Sequence, residues 1–180
     1  MEQTANIISE LNQISEDTKK TFGNLSFEQI NWKSSAESWS IGQCFEHLIV
    51  TNKMEMIAIE KALQGEHTKS IWERMPILPS VFGKLLIKMV NPKSTRKFKA
   101  PKNFRPVQSS IKPQIIDEYI ETSNKIISLM KASQNLDISK MIITSPIPRI
   151  SYSLFDAYKV IALHDRRHFL QAERVLKIQV

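Results

Sequence analysis

One cysteine, Cys44, in 180 residues leaves no partner for an internal disulfide and excludes a cysteine-rich zinc module. Glycine is scarce at 4 residues and proline stands at 8. With 42% hydrophobic content, that is neither a fibrous nor a disordered composition. No stretch approaches ~18 uninterrupted apolar residues, which excludes a membrane-spanning helix. The opening MEQTANIISE has no basic region followed by an apolar run, so a cytoplasmic protein is expected rather than a secreted one. The length suits one domain, taken as residues 1–180.

Acidic residues are missing from one place. Between Glu73 and Asp117 there is none, while Arg74, Lys84, Lys88, Lys93, Arg96, Lys97, Lys99, Lys102, Arg105 and Lys112 are basic. The rest of the chain has 15 basic against 18 acidic residues, so the excess behind the formal +7 comes from the 10 basic residues of this segment. Such a segment attracts phosphate, carboxylate or an anionic surface, although a solvated lysine-rich connector is the plainer reading. Nucleic acid is not expected as a partner, because no recognised nucleic-acid-binding motif accompanies the charge.

Four long segments carry a helical period, and no alternating strand pattern of comparable strength is visible. The first runs from Thr4 to Phe22, with Ile7, Ile8, Leu11 and Ile14 forming a stripe. The second is capped at Ser40, has Gln43 three places on as in a capping box, and continues to Leu63 before Gly65. The third opens near Ser109 or Ser110, admits Pro113 in its first turn and passes Met130. The fourth runs from Leu154 to about Ile178. Leu25 to Trp39 reads as a loop or short helical link. The connection from Glu66 to Ser110 is far longer than the ~2–8 residues usual between bundle helices. Within it, Val81–Val90 reads as a short helix, with Val81, Leu85, Leu86 and Met89 on one side to be covered by the bundle, a second chain or a lipid surface. Residues 99–106 read as extended, because each proline disfavours helix at the residue before it. The expectation is an all-α four-helix bundle of up-down-down-up topology, with a long crossover between its second and third helices.

The histidines carry the chemistry. His164 and His168 lie four apart in the fourth helix, so both rings project from one face. Ala157, Ile161, Ala172 and Val175 complete the same stripe, and two histidines on an apolar face require polar partners. His47 falls at the buried side of the second helix. Three imidazoles from two facing helices make a site for a divalent metal (Zn, Ni or similar) with a fourth position left open. His67, beyond Gly65, is some 30 Å along a continuous helix from His47 at ~1.5 Å per residue and is left out.

Other readings carry less. His164-Asp165-Arg166-Arg167-His168 is a poor metalloprotease H-E-x-x-H, because Asp is a carbon shorter than Glu and only Glu173 follows as a further ligand. Asp165 and Arg166 are expected to face solvent or support the ligands, and Glu46 and Glu55 to be exposed helix charges. Cys44 reads as a small core residue. Trp39 reads as a hydrophobic staple at the bundle end.

Trp39-Ser40, Cys44-Phe45-Glu46-His47-Leu48, Pro101-Lys102-Asn103-Phe104-Arg105-Pro106 and His164-Asp165-Arg166-Arg167-His168-Phe169-Leu170-Gln171 together resemble the DinB-like superfamily. That superfamily includes metal-dependent thiol S-transferases. The resemblance runs from about Thr4 to Val175 and is most specific in the last motif. It implies a four-helix bundle holding a divalent metal at His47, His164 and His168. It also implies a small-molecule substrate and a low-molecular-weight thiol, such as bacillithiol or mycothiol, activated for transfer. Metal-assisted hydrolysis and a non-catalytic metal- or small-molecule-binding role stand as alternatives. A homodimer through the Val81–Val90 helix is a further expectation.

Overall fold

A computed structural model describes residues 2–65, 77–94, 101–107 and 110–179. Among them are six helices and one small hairpin: α1 (Glu2–Phe22), α2 (Phe27–Asn31), α3 (Ile41–Leu63), α4 (Leu78–Val90), α5 (Ile115–Ala132), β1 (Ile142–Thr144), β2 (Ser151–Ser153) and α6 (Leu154–Ile178). The architecture is an all-α bundle whose long helices are α1, α3, α5 and α6.

The sequence explains where each of these helices starts. Ser40 accepts from the Gln43 backbone N–H while the Gln43 side chain accepts from the Ser40 N–H, the reciprocal pair expected there. Ser26 and Gln29 repeat the device at α2, and the Ser153 hydroxyl caps α6 at the Asp156 N–H. Gly65, at φ +72°, supplies the left-handed residue that ends α3.

Each long helix then buries its apolar stripe. Ile7, Leu11, Ile14 and Phe22 of α1 join Phe45 and Leu48 of α3, Tyr119 and Ile126 of α5, and Ala157, Ile161 and Phe169 of α6 in one core. α3 and α1 each pack against both α5 and α6. Cross-helix contacts fix the pairwise senses. Ser15 meets Ser123 and Lys19 meets Asp117, so α1 and α5 run oppositely. His47 meets His164, Asn52 meets Asp165 and Glu55 meets Tyr152 just ahead of α6, so α3 also opposes α6.

Several expectations need correction. The chain does form strands: β1 and β2 pair antiparallel with Ile143 opposite Tyr152. At three residues each they are too short to show an alternating pattern. α5 begins at Ile115 rather than near residue 110, with Pro113 ahead of its first turn. Lys102–Phe104 form a 3-10 turn closed by the Phe104 N–H on the Pro101 carbonyl, so the segment is not uniformly extended.

The crossover helix is longer than read, and its stripe is split. Leu86 is buried and Met89 half-buried, whereas Val81 and Leu85 are exposed. The covered face is the one carrying Gly83, which lies against Asp156 so closely that a Cβ there would sit 2.4 Å from the carboxylate. α4 therefore packs on α6 and β2 through its small-residue side.

Candidate metal centre

α3 and α6 bring their three histidines to one point. His164 Nε2 lies 3.3 Å from His47 Nε2 and 3.1 Å from His168 Nε2, and the three ring nitrogens fall within 4.8 Å of one another. A tetrahedral ion with ~2.0–2.1 Å bonds would hold neighbouring nitrogens about 3.3 Å apart. Neutral rings that face Nε2 to Nε2 oppose lone pair to lone pair unless a proton or a cation lies between them. The residues therefore fit a divalent cation. Spacing and donor chemistry agree.

The protonation states agree as well. His47 Nδ1 lies 2.5 Å from the Phe104 carbonyl oxygen, which can only accept, so the ring proton sits on Nδ1 and the Nε2 lone pair points into the cluster. Burial holds the His47 imidazole below its ordinary value, against the opposing pull of that carbonyl. His164 is pushed down to about 3 by burial, then by His47 and Arg167. His168 is pushed well down by burial and by the two other histidines, with Gln171 acting the other way. At neutral pH all three are neutral ligands in waiting.

The walls of the site come from neighbouring elements. The Trp39 ring centroid lies 5.0 Å from that of His47 and 5.7 Å from that of His168, stacked on the latter. Its role extends beyond stapling a helix end. The Arg167 guanidinium, between the two histidines of α6, donates to the Asn91 carbonyl at 3.0 Å and to those of Ser94 and Met89 at 3.3 and 3.4 Å. The crossover thus meets the histidine cluster at Phe104 and α6 beside it at the end of α4.

Glu46, read as exposed, is half-buried, and Glu55 and Asp165 lie deeper; of the two places read for Asp165, solvent is the one overturned. Asp165 is fully buried, not at solvent, and accepts from Asn52 Nδ2 and from the Tyr119 hydroxyl. Glu55 is buried too, where the Tyr152 hydroxyl donates to it at 2.5 Å. Arg166 bonds Glu10 at 2.7 Å and Asp17 at 3.0 Å, tying α6 to α1. Cys44 is buried, and desolvation pushes its thiol up to about 12, which suits an inert core residue. His67 lies outside the described residues.

The contacts made by Phe104, Asn52 and Tyr119 escaped the sequence reading, although Phe104 lies in one of the motifs that carry the resemblance. Phe104 acts through a main-chain oxygen, which no side-chain pattern reveals. Asn52 sits one to two turns past His47 on the buried side of α3, and a polar residue on that face was the available signal.

A helical bundle that gathers three neutral imidazoles from two facing helices defines a candidate metal-binding protein. The model of the DinB superfamily matches residues 10–172. The chain belongs to the DinB superfamily. No curated protein and no solved structure matches it.

Proposed function

We propose that this protein binds one divalent metal per chain through His47, His164 and His168 and is a metal-dependent transferase that activates a low-molecular-weight thiol. The observation that supports it is the convergence of three Nε2 atoms, one of them aimed by the Phe104 carbonyl. Bound there, a divalent cation supplies a Lewis acid that lowers the proton affinity of a thiol or water at its remaining position. The chain's own residues do the rest. Phe104 holds His47 in one tautomer, Trp39 covers one flank, and burial keeps competing protons off the ligands. Arg105 follows Phe104 directly in the chain, and on this reading the basic segment would face the carboxylates of a small thiol.

Titrating the Co(II)-loaded protein with small thiols tests this. A thiol-dependent charge-transfer band, and metal-dependent transfer of that thiol to an electrophile, are the expected results. No spectral response to any thiol favours a binding protein, and turnover of an ester or amide without thiol favours a hydrolase.

The same reading takes the protein to be cytoplasmic, a single domain and a homodimer. Ile77, Val81 and Leu85 are 70, 50 and 57% exposed at one side of the α4 region, and a second copy would cover them. Light scattering across a concentration series should show twice the chain mass. A monomer at high concentration contradicts the dimer.

A further inference from the structure

Beside the histidines, a buried polar cluster joins three helices. Asp165 of α6 is fully buried, and its two carboxylate oxygens accept from Asn52 Nδ2 of α3 at 3.1 and 3.2 Å. The Tyr119 hydroxyl of α5 donates to the same carboxylate at 2.9 Å. Asn52 is 1% exposed and Tyr119 fully buried, so no water competes for these bonds. No proposed chemistry uses the cluster, and its place in the fold is specific. Asp165 is the residue after His164, and Asn52 is five residues after His47.

We propose that Asp165, Asn52 and Tyr119 are positioning residues that fix the rotation of α6, against α3 through Asn52 and against α5 through Tyr119, and thereby bring His164 and His168 to His47. The inference rests on the metal-binding reading above. Apolar helix faces tolerate small rotations and slides, since methyl groups repack at modest cost. A slip of one residue turns a helix by about 100°, which would carry His164 away from His47. Directional bonds to a buried carboxylate admit one rotation only, because losing them leaves a desolvated acceptor unpaired. A buried polar network contributes little stability over an apolar substitute, so its use here is geometric specificity. α3 supplies one ligand and α6 two, so the relative setting of these two helices decides whether the third nitrogen arrives.

Co(II) titration of the purified protein, read by the d–d bands and by chelator competition, tests this on N52A, Y119F, D165A and D165N. N52A and D165A should lose roughly tenfold or more in Co(II) affinity, with altered band intensity, the scale typical of supporting residues around a metal. Y119F should lose less. D165N should stay near wild type, because the Asn52 amide can turn its oxygen toward the new NH2 and keep the bridge. Circular dichroism of each apo variant establishes folding, and N52A and Y119F carry the test if D165A does not fold. Unchanged Co(II) affinity and spectrum in N52A and Y119F, even with lowered apo unfolding temperatures, would overturn the proposal. So would a D165N loss equal to that of D165A. Wild-type protein that binds no Co(II) overturns the metal-binding reading and this proposal together, whereas binding by wild type and all variants alike overturns this one alone.

Discussion

At His164, burial, His47 and Arg167 together push the imidazole down to about 3, whereas at Glu55 burial pushes the carboxyl from an ordinary 4.5 up to about 7. Both shifts favour the uncharged form, with different consequences. Neutral imidazoles are ready ligands. A carboxyl raised in the folded state contributes stability below its unfolded value of 4.5, and that stability is lost as pH rises through about 7. Glu55→Gln keeps the acceptor for Tyr152 and removes the charge. The variant should be more stable than wild type at pH 8 by about 1–3 kcal/mol, with the difference gone near pH 4. Thermal unfolding at the two pH values checks it, and a variant less stable at pH 8 contradicts the assignment. At the candidate metal centre, His67→Ala should leave metal content unchanged. His47→Ala and His168→Ala should weaken binding by more than the ~10–100-fold typical of outer-sphere changes. Metal stoichiometry of the three variants decides between them. The histidine pair was legible because four-residue spacing alone puts both rings on one face. Glu55 was misread because Lys53, Glu60 and Lys61 around it look like a solvated face. Its hydrogen-bond partner, Tyr152, is 97 residues away, beyond the reach of any local pattern.

Helix ends account for the placement of His47. It lies within the first two turns of α3, and the Ser40 cap fixes the first of them. Ser40 is 1% exposed, so Ser40→Ala leaves the Gln43 N–H buried without its acceptor. The loss should be about 1–2 kcal/mol in denaturant unfolding. No measurable change would mean that the cap is not what starts α3. Caps and apolar stripes are local signals, which is why the starts of α3 and α6 were legible to the residue. The start of α5 was not. Pro113 is compatible with a first helical turn or with the residues before one, and only contact with the bundle separates the two. The Val81–Val90 helix shows the same limit, since the stripe read from its period, Val81, Leu85, Leu86 and Met89, is only partly the covered face. Gly83 lets α4 approach Asp156, a contact no periodicity in α4 records.

For the whole molecule, a period of 3.6 in four long segments already implied an all-α bundle, and membership of the DinB superfamily accords with it. What the pattern could not show is how the long crossover is tied down. It is held by main-chain carbonyls: Phe104 on His47, and Met89, Asn91 and Ser94 on Arg167. A carbonyl has no letter of its own in a sequence. These contacts tie the described parts of the crossover to α3 and α6, and Phe104 makes one of them directly on His47. Central to this account is one divalent ion held by His47, His164 and His168. Anomalous scattering from crystals of tag-free protein grown near neutral pH with Zn(II), Ni(II) or Mn(II) tests it most directly. The account predicts one anomalous peak per chain, within about 2.0–2.3 Å of all three Nε2 atoms. Three ring nitrogens held apart, with no ion between them under any of the metals, would contradict it.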